Sequence, residues 1–154
     1  MKPTGVAVVA LLTGIGLVGS ALAGTRSSSC TAGVRTVGGA KVRTFCGPAK
    51  ATAKTAGKTF SFSGGQCEVS QGYFTVNIGS ITLPPPKPKF AYLGIDVKPP
   101  RAGVHRNQIV SWQVPGKGYS ILGATVTVSA GLKSGTFSGR VIGGGAATGS
   151  FSCS

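Results

Sequence analysis

The stretch that decides the fold is KATAKTAGKTFSFS, residues 50–63. In its second half Phe60 and Phe62 share one face, and threonine and serine occupy the other. The turn between the two halves is Ala56-Gly57-Lys58. Alternation with a period of two on both sides of a glycine-containing turn is typical of a β-hairpin with one buried face. The stretch therefore predicts two antiparallel strands.

The same pattern continues through the rest of the chain. Glycine or proline interrupts the alternation about every 8 to 12 residues, and no stretch shows helical periodicity. We expect further strands around Cys67 and over residues 73–78, 90–97, 109–114, 121–129, 136–142 and 149–153. The segments 84–89 and 98–108 are rich in proline or basic residues and are predicted to be extended connections or loops. The chain is therefore predicted to be an all-β, disulfide-stabilised β-sandwich of about nine short antiparallel strands, with a partly open barrel as the alternative.

The first 23 residues have the features of a secretory signal peptide. Lys2 supplies a positive end, residues 6–22 are apolar or small, and Ala21-Leu22-Ala23 is an A-x-A cleavage site. We expect cleavage before Gly24 and no transmembrane segment afterwards. Residues 24–40 are predicted to be a flexible N-terminal segment, and residues 41–154 a single all-β domain. The predicted location is the cell exterior or the cell envelope.

The charge of the chain is strongly unbalanced. Sixteen lysines and arginines face two acidic residues, a formal net charge of +14, and loss of Lys2 with the signal peptide leaves +13. A protein with this charge is expected to adhere to anionic surfaces. Outside a cell these are wall polymers, acidic polysaccharides, anionic lipid head groups or free nucleic acid.

The four cysteines are Cys30, Cys46, Cys67 and Cys153. An even number of cysteines in an exported chain predicts two disulfides. A zinc site is not expected, because no pair has C-x2-C spacing and the one histidine is distant in sequence. We expect no cofactor. Three pairings are open from the cysteine positions alone.

Residues 49–79 combine a hairpin, a strand that ends in Cys67, a short polar turn and a strand that ends in Val76-Asn77-Ile78-Gly79. The chain then ends in Phe151-Ser152-Cys153-Ser154. This arrangement resembles the mycobacterial-type lipoprotein antigens, which are small exported cell-envelope proteins. The resemblance implies that Cys67 pairs with Cys153, which leaves Cys30 for Cys46. The competing pairing joins Cys46 to Cys67 and Cys30 to Cys153.

The chain departs from that family at the signal-peptide cleavage site. Family members carry a lipid on a cysteine directly after the signal peptide, whereas here Gly24 and Thr25 follow Ala23. The first cysteine is Cys30. We therefore expect no lipid anchor, and retention at the envelope would depend on charge.

Groups suited to catalysis are scarce. Glu68 and Asp96 are the two carboxylates and are predicted to lie in separate strands, so a pair flanking one glycosidic bond is not expected. His105 is predicted to be a solvated loop residue, and no G-x-S-x-G motif places a nucleophile near it. Glycine runs such as Gly143-Gly144-Gly145 are predicted to be turns, because no G-K-[ST] motif follows them. The chain is predicted not to be an enzyme.

Basic side chains concentrate around one predicted strand and form the candidate polyanion-binding site. These residues are Lys87, Lys89, Lys98, Arg101, His105 and Arg106. We expect a secreted, non-catalytic binding or structural protein that contacts anionic envelope polymers or acidic polysaccharide through these loops, without specific nucleic-acid recognition. One alternative is a self-assembling extracellular structural subunit, because the strands are rich in small polar residues. The other alternative is a secreted hydrolase or hydrolase inhibitor.

Overall fold

The computed structural model describes residues 30–83 and 89–154. The predicted signal peptide, the start of the predicted flexible segment and the proline run at 84–88 with Lys87 lie outside the described residues. The described part of the chain contains eleven strands: β1 (Gly33–Val37), β2 (Ala40–Thr44), β3 (Lys50–Thr55), β4 (Lys58–Ser63), β5 (Gly65–Ser70), β6 (Tyr73–Leu83), β7 (Tyr92–Val97), β8 (Gly103–Val114), β9 (Lys117–Val128), β10 (Ser134–Arg140) and β11 (Ala146–Ser152). A 3-10 turn at Ala130–Leu132 links β9 to β10.

Over residues 30–83 and 89–154 the strands pair into one antiparallel sheet that does not close into a barrel. The order is β1-β2-β6-β7-β8-β9-β10-β11-β3-β4, and β5 pairs with β6 beside this path. The first half of β6 pairs with β5 and the second half with β2. The all-β class and the presence of disulfides are confirmed. The described residues form eleven strands, and the expected value of about nine is too low because β1 and β2 were not predicted.

The core forms because distant strands of the sheet face each other. Phe74 of β6 contacts Phe151 of β11, with ring centroids 6.0 Å apart, although the two strands are far apart in the sheet order. The alternation in β3 is complete: Ala51, Ala53 and Thr55 are buried, and the residues between them are exposed. The buried side chains of these distant strands therefore belong to one hydrophobic core.

Cross-strand pairs of phenylalanine and glycine occupy the hairpin of β10 and β11. Phe137 lies opposite Gly149, and Phe151 lies opposite Gly135. A Cβ atom on Gly149 would overlap the ring of Phe137 and the carbonyl oxygen of Thr52. These glycines leave room in the strands for aromatic rings that pack on the neighbouring backbone.

Two disulfides connect the N-terminal and C-terminal parts to the sheet. Cys30 pairs with Cys46, with Cα atoms 5.8 Å apart, and Cys67 pairs with Cys153, with Cα atoms 5.6 Å apart. Both separations lie in the usual range. The first disulfide encloses the β1–β2 hairpin, and the second joins β5 to the end of β11.

The structure differs from the sequence prediction in the N-terminal segment. Residues 33–37, expected to be part of a flexible segment, form β1 and pair with β2 over five residues. The alternation is difficult to recognise here because all four residues before Val37 are exposed. The strand is held by backbone hydrogen bonds and by the nearby disulfide instead of by a buried side-chain face.

The outer face of β7 is covered by a small polar and aromatic cluster. The Tyr92 ring packs against Phe45 at 5.8 Å between centroids, and its hydroxyl donates a hydrogen bond to Asn77 Oδ1 at 2.7 Å. The Arg43 guanidinium lies 4.9 Å above the Phe45 ring. Burial, followed by the negative charge of Asp96, raises the pKa of Tyr92 to about 12, and Arg43 acts in the opposite direction.

This raised pKa predicts a loss of stability in alkali. In the unfolded chain the phenol has its ordinary pKa of 10.0, whereas in the folded protein its pKa is about 12. The unfolded state therefore binds fewer protons in this window, and the free energy of unfolding falls as the pH rises through it. We expect the Tyr92 contribution to this fall to be about 2 kcal/mol.

Urea unfolding at several pH values from about 9 to about 12 measures this effect, with Tyr92→Phe as the control. The variant keeps the aromatic packing and lacks the titrating proton, so its stability should fall less steeply. Parallel curves for the two proteins would contradict the assignment.

Candidate anion-binding surface

The predicted basic residues do not form one patch. Lys89 precedes β7, and Lys98, Arg101 and Arg106 follow it. Six residues of extended strand separate the two groups by about 16 Å, at about 3.3 Å per residue. All four side chains are exposed. Lys98, Arg101 and Arg106 therefore lie in one segment, named here the basic loop (residues 98–108, of which 103–108 begin β8), and Lys89 lies at the opposite end of β7.

His105 is buried, and its prediction as a solvated loop residue is wrong. It lies in β8 opposite Val126 with 6 % of its surface exposed. Its Nε2 atom lies 2.8 Å from the Arg101 carbonyl oxygen. A carbonyl oxygen only accepts hydrogen bonds, so this ring nitrogen is the donor. The buried ring of His105 therefore anchors the backbone of the basic loop at Arg101 and is not part of the exposed surface of the loop.

The Gln108 side chain connects the beginning of the basic loop to its end. Its Oε1 accepts a hydrogen bond from the Lys98 N–H at 2.8 Å, and its Nε2 donates to the Arg106 carbonyl oxygen. The pairing of β8 with β9 shifts register between His105 and Ile109, and Asn107 has a φ of 56°. Such a β-bulge bends its strand and changes the direction of nearby side chains. Residues at both ends of the loop are thus fixed to each other.

Lys98 is also positioned by an aromatic ring. Its Nζ lies 5.1 Å from the ring centroid of Tyr73, whose side chain is 38 % exposed. A lysine over a tyrosine face at this distance gains cation–π attraction while the ammonium keeps contact with water. The sequence does not indicate the contact between Tyr73 and Lys98, because the two residues are 25 positions apart and only the pairing of β6 with β7 brings them together.

Both carboxylates of the chain lie near this surface in one shallow cavity of about 520 Å³. Glu68 pairs with Thr75 across β5 and β6, and Thr75 pairs with Asp96 across β6 and β7. Neighbouring strands lie about 4.8 Å apart, so one intervening strand separates the two acidic residues by about 10 Å between backbones. Burial raises the pKa of the Asp96 carboxyl. Gln66 donates a hydrogen bond to Glu68 at 3.2 Å.

Residues 30–83 and 89–154 contain no group of three or more histidine, cysteine, aspartate or glutamate side chains placed to hold a metal ion. In the same part of the chain, no helix is long and apolar enough to cross a membrane. Comparison with protein-family models, with curated proteins and with solved structures finds no match to this chain.

Proposed function

We propose that this chain is a non-catalytic binding protein of the cell exterior or envelope that contacts anionic polymers through its basic loop. The observation that carries the proposal is the fixed presentation of Lys98, Arg101 and Arg106. Their backbone is held by His105 and Gln108. Binding side chains on a loop that a rigid sheet positions lose less entropy when they meet a ligand.

The charge balance supports an anionic partner. With only Glu68 and Asp96 against sixteen basic residues, most lysines and arginines have no acidic side chain within the protein to neutralise them. Such a surface raises the local concentration of polyanions and speeds their association. The two arginines add planar guanidinium groups that contact carboxylate, sulfate or phosphate through two hydrogen bonds at once.

The two disulfides support a location outside the cytosol. Disulfides persist in oxidising compartments and are rare in the cytosol of most organisms. The A-x-A site at residues 21–23 also supports export. We propose that charge retains the protein at the envelope, since no cysteine directly follows the predicted cleavage site to carry a lipid.

Retention on immobilised heparin at increasing salt tests this proposal. The variant Lys98→Gln/Arg101→Gln/Arg106→Gln should elute at clearly lower salt than the unchanged protein. The slope of log affinity against log salt concentration should fall in magnitude by about 2 to 3, because each neutralised charge contributes nearly one unit.

A matched control removes three exposed lysines elsewhere, through Lys50→Gln/Lys54→Gln/Lys133→Gln. Both variants lose the same net charge. The difference in their retention therefore measures the contribution of the basic loop beyond that of the overall positive charge. We expect the control to lose less than half as much retention as the loop variant. Equal losses would assign binding to scattered charge and refute a specific role for the loop.

A further inference from the structure

A second cleft, of about 460 Å³, lies where the turns of three hairpins meet. These turns connect β3 to β4, β8 to β9 and β10 to β11. The cleft shares no residue with the basic loop. Its volume lies within the range of about 300 to 1,000 Å³ that is common for small-molecule sites.

Aromatic side chains form one wall of this cleft. Phe60 and Tyr119 both line it, and their ring centroids are 5.4 Å apart. Behind them, the buried Trp112 stacks on Tyr119 with centroids 5.0 Å apart and an interplanar angle of 11°. The wall is thus continuous with the hydrophobic core and is held in place by it.

Two lysines line the same cleft, and each directly follows a turn glycine. Lys58 comes after Gly57, with φ of 74°, and Lys117 comes after Gly116, with φ of 80°. The left-handed backbone that glycine permits reverses the chain there, so each lysine is the first residue of its strand. The Lys117 Nζ lies 5.1 Å from the Tyr119 ring centroid, which orients the ammonium by cation–π attraction.

The positive charge of this cleft is not balanced by any acidic side chain that lines it. Glu68 and Asp96 are the only acidic residues of the chain, and both line the cavity on the outer face of β5, β6 and β7. The remaining wall of the cleft is mainly apolar, with Val141 and Ile142 beside the aromatic rings. Glycines at 143–145 leave one side free of bulky side chains.

We propose that this cleft binds an organic anion with a compact apolar body, such as an alkyl carboxylate or an alkyl phosphate. The apolar body packs against Phe60, Val141 and Ile142, where its burial supplies most of the affinity. The anionic group lies between Lys58 and Lys117, which provide charge-assisted hydrogen bonds. This site is separate from the basic loop and does not depend on the function proposed for that loop.

The test is titration of the secreted, oxidised protein with octanoate and with octyl phosphate. Trp112 is the only tryptophan of the chain and stacks on a wall residue of the cleft, so its fluorescence reports binding. Amide shifts of Gly118 and Gly143, which line the cleft, locate the ligand in NMR spectra. The two probes distinguish a fatty carboxylate from a lipid phosphate as the preferred source of the anion.

Two further probes separate the contributions of charge and apolar surface. Inorganic phosphate has the charge without the apolar body, and 1-octanol has the apolar body without the charge. Both should bind at least tenfold more weakly than the better of the two octyl anions. If either of them binds equally well, or if no octyl anion shifts the cleft amides, the proposal is wrong.

Variants provide an independent check on the role of the lysines. Lys58→Gln/Lys117→Gln should weaken binding of the octyl anion at least tenfold, because both cationic partners are lost. The matched variant Lys98→Gln/Arg101→Gln removes the same charge from the basic loop and should change the affinity less than twofold. Equal effects of the two variants would overturn the site assignment.

Discussion

Removal of the Cys67–Cys153 disulfide by Cys67→Ala/Cys153→Ala is expected to lower the free energy of unfolding by about 4 to 5 kcal/mol. The bond joins residues 86 positions apart, so the unfolded chain gains much conformational freedom when it is lost. The folded state also depends on this bond. Among the described strands β5 pairs along its length only with β6, and the disulfide attaches it to the end of β11.

The matched control is removal of the other disulfide by Cys30→Ala/Cys46→Ala. Its separation of 16 residues predicts a smaller loss of about 3 kcal/mol. Equilibrium unfolding in guanidinium chloride measures both values against the unchanged oxidised protein. A loss for the long-range bond that is no greater than the loss for the short-range one would contradict this argument.

The β3–β4 hairpin shows which part of the fold the sequence predicts well. Residues 50–63 were expected to form two strands around a glycine turn, and the structure has β3 and β4 there within one residue. Each strand alternates over several residues and the turn carries its glycine in the left-handed region, so local and tertiary preferences agree. Where these signals coincide, the bounds of a strand can be predicted from the sequence.

The basic loop shows why the candidate site was only partly predictable. Prolines and charges at 98–108 indicate a loop, yet β8 begins at Gly103 and buries His105. A buried histidine in a charged stretch is stable there because the Arg101 carbonyl oxygen accepts its ring N–H. That partner is four residues away, and nothing in the composition of the stretch indicates the bond.

The two lysines of the cleft at the three hairpin turns could not be predicted as a site for a different reason. Lys58 and Lys117 are 59 positions apart in the chain, and each belongs to a separate hairpin. Their common signal is a lysine directly after a turn glycine, in A-G-K and P-G-K. The sequence can suggest that both stand at hairpin ends. Only the packing of distant strands against each other shows that these ends meet beside Tyr119, which contacts Phe60 of the other hairpin.

Glycines inside strands have a packing role that the sequence does not indicate. Gly135 and Gly149 belong to a chain in which glycine mostly marks turns, but each faces a phenylalanine across the β10–β11 pair. The sequence alone cannot distinguish a glycine in a turn from a glycine that faces an aromatic ring within a strand. Both lack a side chain, and they differ only in whether a neighbouring ring fills the space above the backbone. The cross-strand register decides, and it places Phe137 over Gly149.

Phe137→Ala is expected to lower the free energy of unfolding by about 3 to 5 kcal/mol. The side chain is 2 % exposed, lies 6.3 Å from Trp112 between ring centroids and fills the space that Gly149 leaves. No side chain on Gly149 can move into the cavity, so the core would retain most of it. The neighbouring Trp112 should also show a shifted fluorescence maximum.

Thr136→Ala is the matched control, since Thr136 is the preceding residue of β10 and is exposed. Surface substitutions of this kind usually change stability by less than about 0.5 kcal/mol. Urea unfolding of the two variants, followed by fluorescence and by circular dichroism, gives both values on one scale. Since the side-chain period of a strand is two, equal losses for Phe137→Ala and Thr136→Ala would mean that the register of β10 is wrong, and with it the pairing of aromatic rings and glycines on which this half of the core depends.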